Sequence, residues 1–257
     1  MSSANDKKAR ERHFVQIFQD LHPSFPEGQI IAGDRQERPD LLVVGPQFTI
    51  GIEVTSICHQ KLKKEESENE QMVAAAREIY EALNLPNLQI SVHFSSTPGF
   101  SRGNRARFAR ALAQLVAANI PLENCNAELE NDWNAPESFP FEIHSIGIFR
   151  HKALSRNYWS VPSFGWVQEN CANEIQARIT EKEKRLVGYD PKCSEIWLLV
   201  VAENSSAAGA FDPSEITLSQ QYTSSFDLVF FLDPSRRRLV QLKSVRRHPV
   251  SMAPGGR

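Results

Sequence analysis

The chain has 257 residues, of which 41% are hydrophobic and 23% charged, with a net charge of −2 and a pI near 6.4. That balance excludes a chain-wide basic surface, so any phosphate-binding face has to be local. No apolar run approaches the roughly 20 residues that span a bilayer. The N-terminal stretch also lacks a signal-peptide core, so a cytoplasmic protein without membrane association is expected. The four cysteines, Cys58, Cys125, Cys171 and Cys193, are far apart and form no CxxC pair. Neither a structural zinc cluster nor a disulfide framework is expected from them.

The first predicted element is a helix over 8–21. Phe14, Val15, Phe18 and Leu21 make its apolar stripe, and Pro23 and Pro26 close it. Short strands follow at 29–33, 40–45 and 48–55. The last two are rich in β-branched residues and are joined by Gly45, Pro46 and Gln47, which reads as a hairpin. A long helix is predicted over 62–84, then a strand at 88–94 and a helix at 104–118. The Pro- and Asn-rich stretch 121–140 has no period and is expected to be a loop. Strand 142–150, helix 168–187 and strands 195–202, 226–232 and 238–242 complete the pattern. Strands and helices alternate, which predicts an α/β fold with a central mixed sheet flanked by helices. No glycine-rich linker interrupts it. One domain over 1–242 is expected, with 243–257 as a flexible basic C-terminal tail.

The hairpin carries two carboxylates. If the turn is centred between Pro46 and Gln47, Asp40 lies opposite Glu53 on one face, with Cβ atoms roughly 4.5–5.5 Å apart. Thr55, two residues on, shares the face of Glu53, while Ile50, Ile52 and Val54 face a core. Opposed like charges destabilise a sheet unless something neutralises them. A divalent cation would do so, since magnesium takes hard oxygen ligands, usually one or two carboxylates plus water and phosphate. The plainer alternative is a pair of solvated strand ends with Arg35 or Arg38 as counter-ion.

Pro39-Asp40, followed thirteen residues later by Glu53 in the run Ile52-Glu53-Val54-Thr55, resembles the motif of the PD-(D/E)xK nuclease superfamily. The order helix, hairpin, helix, strand over 8–95 is similar to that family's αβββαβ core. The resemblance implies a restriction-endonuclease-like fold and a metal-dependent nuclease that hydrolyses phosphodiesters of nucleic acid, DNA first among them. It implies Mg2+ or Mn2+ held by Asp40 and Glu53, with Glu11 on the first helix as an outer ligand. The chain departs from the family at Thr55, which stands where the lysine is expected, and a hydroxyl supplies no positive charge. A lysine from elsewhere would have to replace it, and Lys182 and Lys184 of helix 168–187 are the candidates. Lys61, Lys63 and Lys64 look solvated. The alternative is a catalytically inactive relative that binds nucleic acid or another protein, and hydrolysis of some other phosphate ester is a third reading.

For phosphate contacts the sequence offers Arg102, Arg105 and Arg107 at the start of helix 104–118. The resemblance adds Gln71 or Arg77 of helix 62–84, since some family members place a Gln or Arg of this helix near the metal site. The expected partner is nucleic acid, and a homodimer is left open. No HExxH, P-loop, GxSxG or GxGxxG motif occurs, so zincin, P-loop NTPase, serine-hydrolase and dinucleotide-binding readings lack their signatures.

Overall fold

The computed structural model describes residues 4–32, 39–95, 104–131, 139–140, 142–162, 167–188, 193–204 and 206–246. In chain order the elements begin with α1 (Ala4–Leu21), β1 (Gln29–Ala32), β2 (Leu41–Val44), β3 (Thr49–Ser56) and α2 (Gln60–Glu81). There follow β4 (Gln89–Phe94), α3 (Arg105–Ala118), β5 (Asn126–Glu130), β6 (Ile143–Phe149) and β7 (Tyr158–Ser160). The last are α4 (Ala172–Glu183), β8 (Glu195–Val201), α5 (Glu215–Ser219), β9 (Gln221–Ser224), β10 (Leu228–Asp233), β11 (Arg238–Gln241) and β12 (Lys243–Arg246). The content is mixed α/β, as expected. No helix among the described residues is long and apolar enough to cross a membrane.

The chain divides into two compact units, 1–59 with 165–257 and 60–164, where the sequence predicts one domain. The division leaves little local trace, because the second unit is inserted between β3 and α4 without a glycine-rich linker.

The first unit is built on a six-stranded mixed sheet in the order β1-β2-β3-β8-β10-β11. β1, β2 and β3 pair antiparallel, β3, β8 and β10 pair parallel, and β11 returns antiparallel on β10. The three central strands are buried along most of their length. That burial explains the continuous apolar runs of β8 and β10, since strands covered on both faces have no polar side. Alternate residues feed two cores. Ile50, Ile52, Val54, Leu199 and Phe230 pack with Phe14, Val15 and Phe18 of α1, whereas Leu198, Val200, Val229 and Phe231 pack with Ile175 and Ile179 of α4. α1 therefore packs on one face, and α4 packs on the other together with Leu218 of α5 and Tyr222 of β9.

The order helix, three antiparallel strands, helix, strand runs here through α1, β1, β2, β3, α4 and β8. The sequence reading assigned its second half to helix 62–84 and strand 88–94. That assignment is corrected by the sheet topology, because β4 belongs to the other unit and β8 is the strand beside β3. A parallel neighbour needs a crossover, and nothing local in β3 states how long that crossover is.

The second unit carries the four-stranded sheet β5-β6-β4-β7. Met72, Val73, Ala76 and Tyr80 of α2 and Phe108, Leu112 and Val116 of α3 pack with Ile90, Val92, Ile146 and Ile148 of its strands. β5 lies inside the stretch expected to be a loop. It is an edge strand whose two inward residues, Ala127 and Leu129, are only partly buried, so its alternation is faint.

α4 is also shorter than the predicted 168–187 helix, giving way to a 3-10 turn at Leu186–Gly188. The tail expectation is corrected in part: Lys243–Arg246 forms β12, paired parallel with β9, and 247–257 lies outside the described residues. Val245, the apolar residue of that short run, is exposed and gives little periodicity to read.

Candidate active site

The hairpin has the register read from its turn. Leu41 pairs with Ile52 and Val44 with Thr49, and Gly45 N donates to Phe48 O across the turn at 3.0 Å. Asp40 lies one residue before β2, where the same register points at Glu53. There its Oδ2 accepts a hydrogen bond from Val54 N at 2.9 Å, closing the β3 backbone where β2 has ended. Gly51 makes this approach possible. A Cβ there would sit 2.4 Å from the Pro39 ring, so only glycine lets the Pro39-Asp40 pair lie against β3.

Glu53 is 1% exposed and points to the α4 side of the sheet with Thr55, itself buried in β3. On α4, Ile175, Ile179 and Lys182 are buried in succession, four and three residues apart, so Lys182 occupies the last place of an apolar stripe. Its stem runs through the packed layer and its Nζ donates to Glu53 Oε1 in an ion pair buried on both sides. A cation from α4, 129 residues away in sequence, thus stands against Glu53. Lys184 is exposed at the C-cap of α4.

Three carboxylates act on one another here. Burial, then the charge of Glu53, push the Asp40 carboxyl up to about 6, against the lowering effect of the Val54 N–H. Glu11 adds a smaller push, so it lies within electrostatic reach of Asp40 while its own ion pair goes to Lys7 at 3.1 Å. Among the described residues no three His, Cys, Asp or Glu side chains form a ready-made cation cage. What stands ready is a pair: Glu53 Oε2 is buried without a hydrogen-bond partner, and Asp40 binds the backbone through Oδ2. Two carboxylates completed by water suit magnesium, which keeps much of its hydration shell.

The raised titration of Asp40 has a measurable consequence. Folded Asp40 holds its proton to about 6 against an ordinary 3.8, so the folded chain binds more protons than the unfolded chain between those values. Its contribution to stability is full below the ordinary value and is lost as pH rises through about 6. Asp40→Asn should therefore stabilise the metal-free chain by about 2 kcal/mol at neutral pH. Urea unfolding should show that gain vanishing towards pH 4. A gain that persists at low pH would contradict the assigned cause.

Several residues beside the carboxylates were not legible in sequence. Ser56, at the end of β3, donates to Glu203 just beyond β8, and Glu203 pairs with Arg10 of α1 at 3.1 Å. Arg178, one turn before Lys182, reaches Cys58 Sγ at 2.8 Å and Glu181 at 2.5 Å, tying the segment after β3 to α4. The only signal was positional: Glu203 directly follows the apolar strand EIWLLVV and Ala202, and strand ends in parallel sheets often carry polar site residues.

Gln71, Arg105 and Arg107 lie in the second unit. Gln71 and Arg105 line one groove of its surface, whereas Arg107 is exposed on α3 and does not line it. Arg35, Arg38 and Arg102 lie outside the described residues.

Comparison with protein-family models, curated proteins and solved structures gave no match for the chain.

Proposed function

We propose that the chain is a divalent-metal-dependent nuclease, hydrolysing phosphodiesters of nucleic acid, DNA first, on a restriction-endonuclease-like core. The observation that carries this reading is the buried pairing of Glu53 with Lys182. It returns a lysine to the carboxylate motif at the point where Thr55 had removed it, and it leaves Glu53 Oε2 without a partner. The order α1, β1, β2, β3, α4, β8 supports the reading, because it repeats the αβββαβ sequence of that family with the two carboxylates on the hairpin.

Asp40 and Glu53 are the residues to hold Mg2+ or Mn2+, with Glu11 adding negative potential from α1. A cation bound there supplies Lewis-acid polarisation of a phosphoryl group and lowers the pKa of bound water. Lys182 holds a positive charge against Glu53 and is placed to stabilise negative charge that develops on the phosphate. The Thr55 hydroxyl, on the same face as Glu53, is placed to order the attacking water through a hydrogen bond. Burial of the pair strengthens each of these interactions relative to water.

A second reading, an inactive nuclease-fold protein that binds nucleic acid or another protein, is favoured by the same ion pair. Lys182 already neutralises Glu53, so the fold does not need a cation there for charge balance. Cleavage and calorimetry separate the two. The wild-type chain should nick or cut supercoiled and linear DNA with Mg2+ or Mn2+, fail to do so in EDTA, and release or absorb heat on titration with Mn2+. Absence of both cation binding and cleavage of any DNA or RNA form would overturn the nuclease reading. Metal-independent binding to nucleic acid would then leave the second reading standing.

A further inference from the structure

The second unit bears a groove of about 390 Å3 lined by Gln60, Lys63, Lys64, Ser67, Glu68, Gln71 and Arg105. All but Arg105 come from the first twelve residues of α2, and Arg105 opens α3. Three of these side chains are cations and one is an acid. Glu68 is accounted for, since Arg105 Nη2 bonds its Oε1 at 3.4 Å. Lys63 and Lys64 are exposed and make no ion pair among the described residues, although α2 carries several glutamates that helical spacing could bring to them. Arg105 keeps donors to give, because among the described residues it bonds Glu68 through Nη2 alone and its side chain is partly exposed. Ser67 and Gln71 add a hydroxyl and an amide that already bond each other at 3.2 Å.

A recess with two ammonium groups outside any ion pair among the described residues, and a partly exposed guanidinium, takes an oxyanion with several acceptor oxygens. None of the lining residues is aromatic or apolar, so nothing there would stack on a base or enclose a sugar. Flexible cations without such walls suit a sequence-independent backbone contact. We infer that this groove on the second unit binds the phosphodiester backbone of nucleic acid, as a site independent of the Asp40–Glu53 pair. Lys63 and Lys64 contact phosphate as point charges, and Arg105, held by Glu68, donates through its remaining N–H groups.

The experiment measures binding in EDTA with the full chain carrying Asp40→Asn, so that cleavage plays no part and failure of the nuclease reading leaves the result interpretable. A fluorescein-labelled duplex and the single strand of the same sequence are titrated across a range of salt. Lys63→Ala with Lys64→Ala should weaken binding and lower the slope of log K against log salt by about 1.8 on duplex or 1.4 on single strand, two phosphate contacts in all. Arg105→Gln should lower it by about one contact more. Lys152→Ala with Arg156→Ala, which removes two unpaired cations elsewhere in this unit, should change the slope by much less. Equal losses from both double variants would make net charge the cause and overturn the site, as would no change on emptying the groove of charge. Inorganic phosphate competing as strongly as the oligonucleotide, at equal phosphate concentration, would reassign the groove to a small phosphate and overturn the backbone assignment.

Discussion

Lys182→Met is expected to destabilise the folded chain by about 3–5 kcal/mol, because it leaves a buried carboxylate with no cation. Glu53 is 1% exposed, and its Oε2 already lacks a partner, so loss of the Lys182 ammonium leaves both oxygens unsatisfied. Methionine keeps the volume and the apolar stem of lysine, so packing beside Ile179 changes little and the loss reports the charge. Glu53→Gln combined with Lys182→Met should recover much of the stability, since no unpaired ion then remains. Urea unfolding of the two single variants and the double variant forms a double-mutant cycle whose coupling should exceed about 1 kcal/mol. A cycle with no coupling would mean that the ion pair does not hold α4 against β3. In that case the role proposed for Lys182 beside the metal-binding carboxylates would fall.

The second large effect concerns activity. If the chain cuts nucleic acid, Asp40→Asn and Glu53→Gln should each lower the metal-dependent rate by about 10³-fold or more, because either change removes one of two charged ligands from a hard cation. Stability separates this loss from unfolding. Asp40→Asn keeps an acceptor for Val54 N and removes a carboxylate that burial and Glu53 disfavour, so it should unfold no earlier than wild type. Glu53→Gln should lose stability through the stranded Lys182, and Glu53→Gln with Lys182→Met should be stable yet equally inactive. Manganese calorimetry on each variant should show loss of binding in parallel with loss of cleavage. Cleavage that survives both substitutions would place the chemistry elsewhere in the chain.

The local part of this site was legible before any coordinates. Gly45, Pro46 and Gln47 mark a turn, side chains alternate across a strand, and those two facts set the register that brings Asp40 to Glu53 and keeps Thr55 on the same face. The stripe of α4 likewise placed Lys182 one turn on from Ile179, because helical period is a property of neighbouring residues. Each of these follows from geometry within a single hairpin or a single helix.

Long-range choices were decided only by the tertiary structure. β3 takes β8 as its parallel neighbour, with a whole compact unit inserted between β3 and α4, so the helix and strand next in sequence belong elsewhere. Central strands such as β8 and β10 are apolar on both faces, and that uniformity carries no record of which strand lies beside which. The choice between Lys182 and Lys184 was also decided there, since Lys182 reaches Glu53 and Lys184 is exposed. Surface lysines and a lysine bound for a buried carboxylate look alike in sequence, and burial of α4 on the sheet is what desolvates one of them against Glu53.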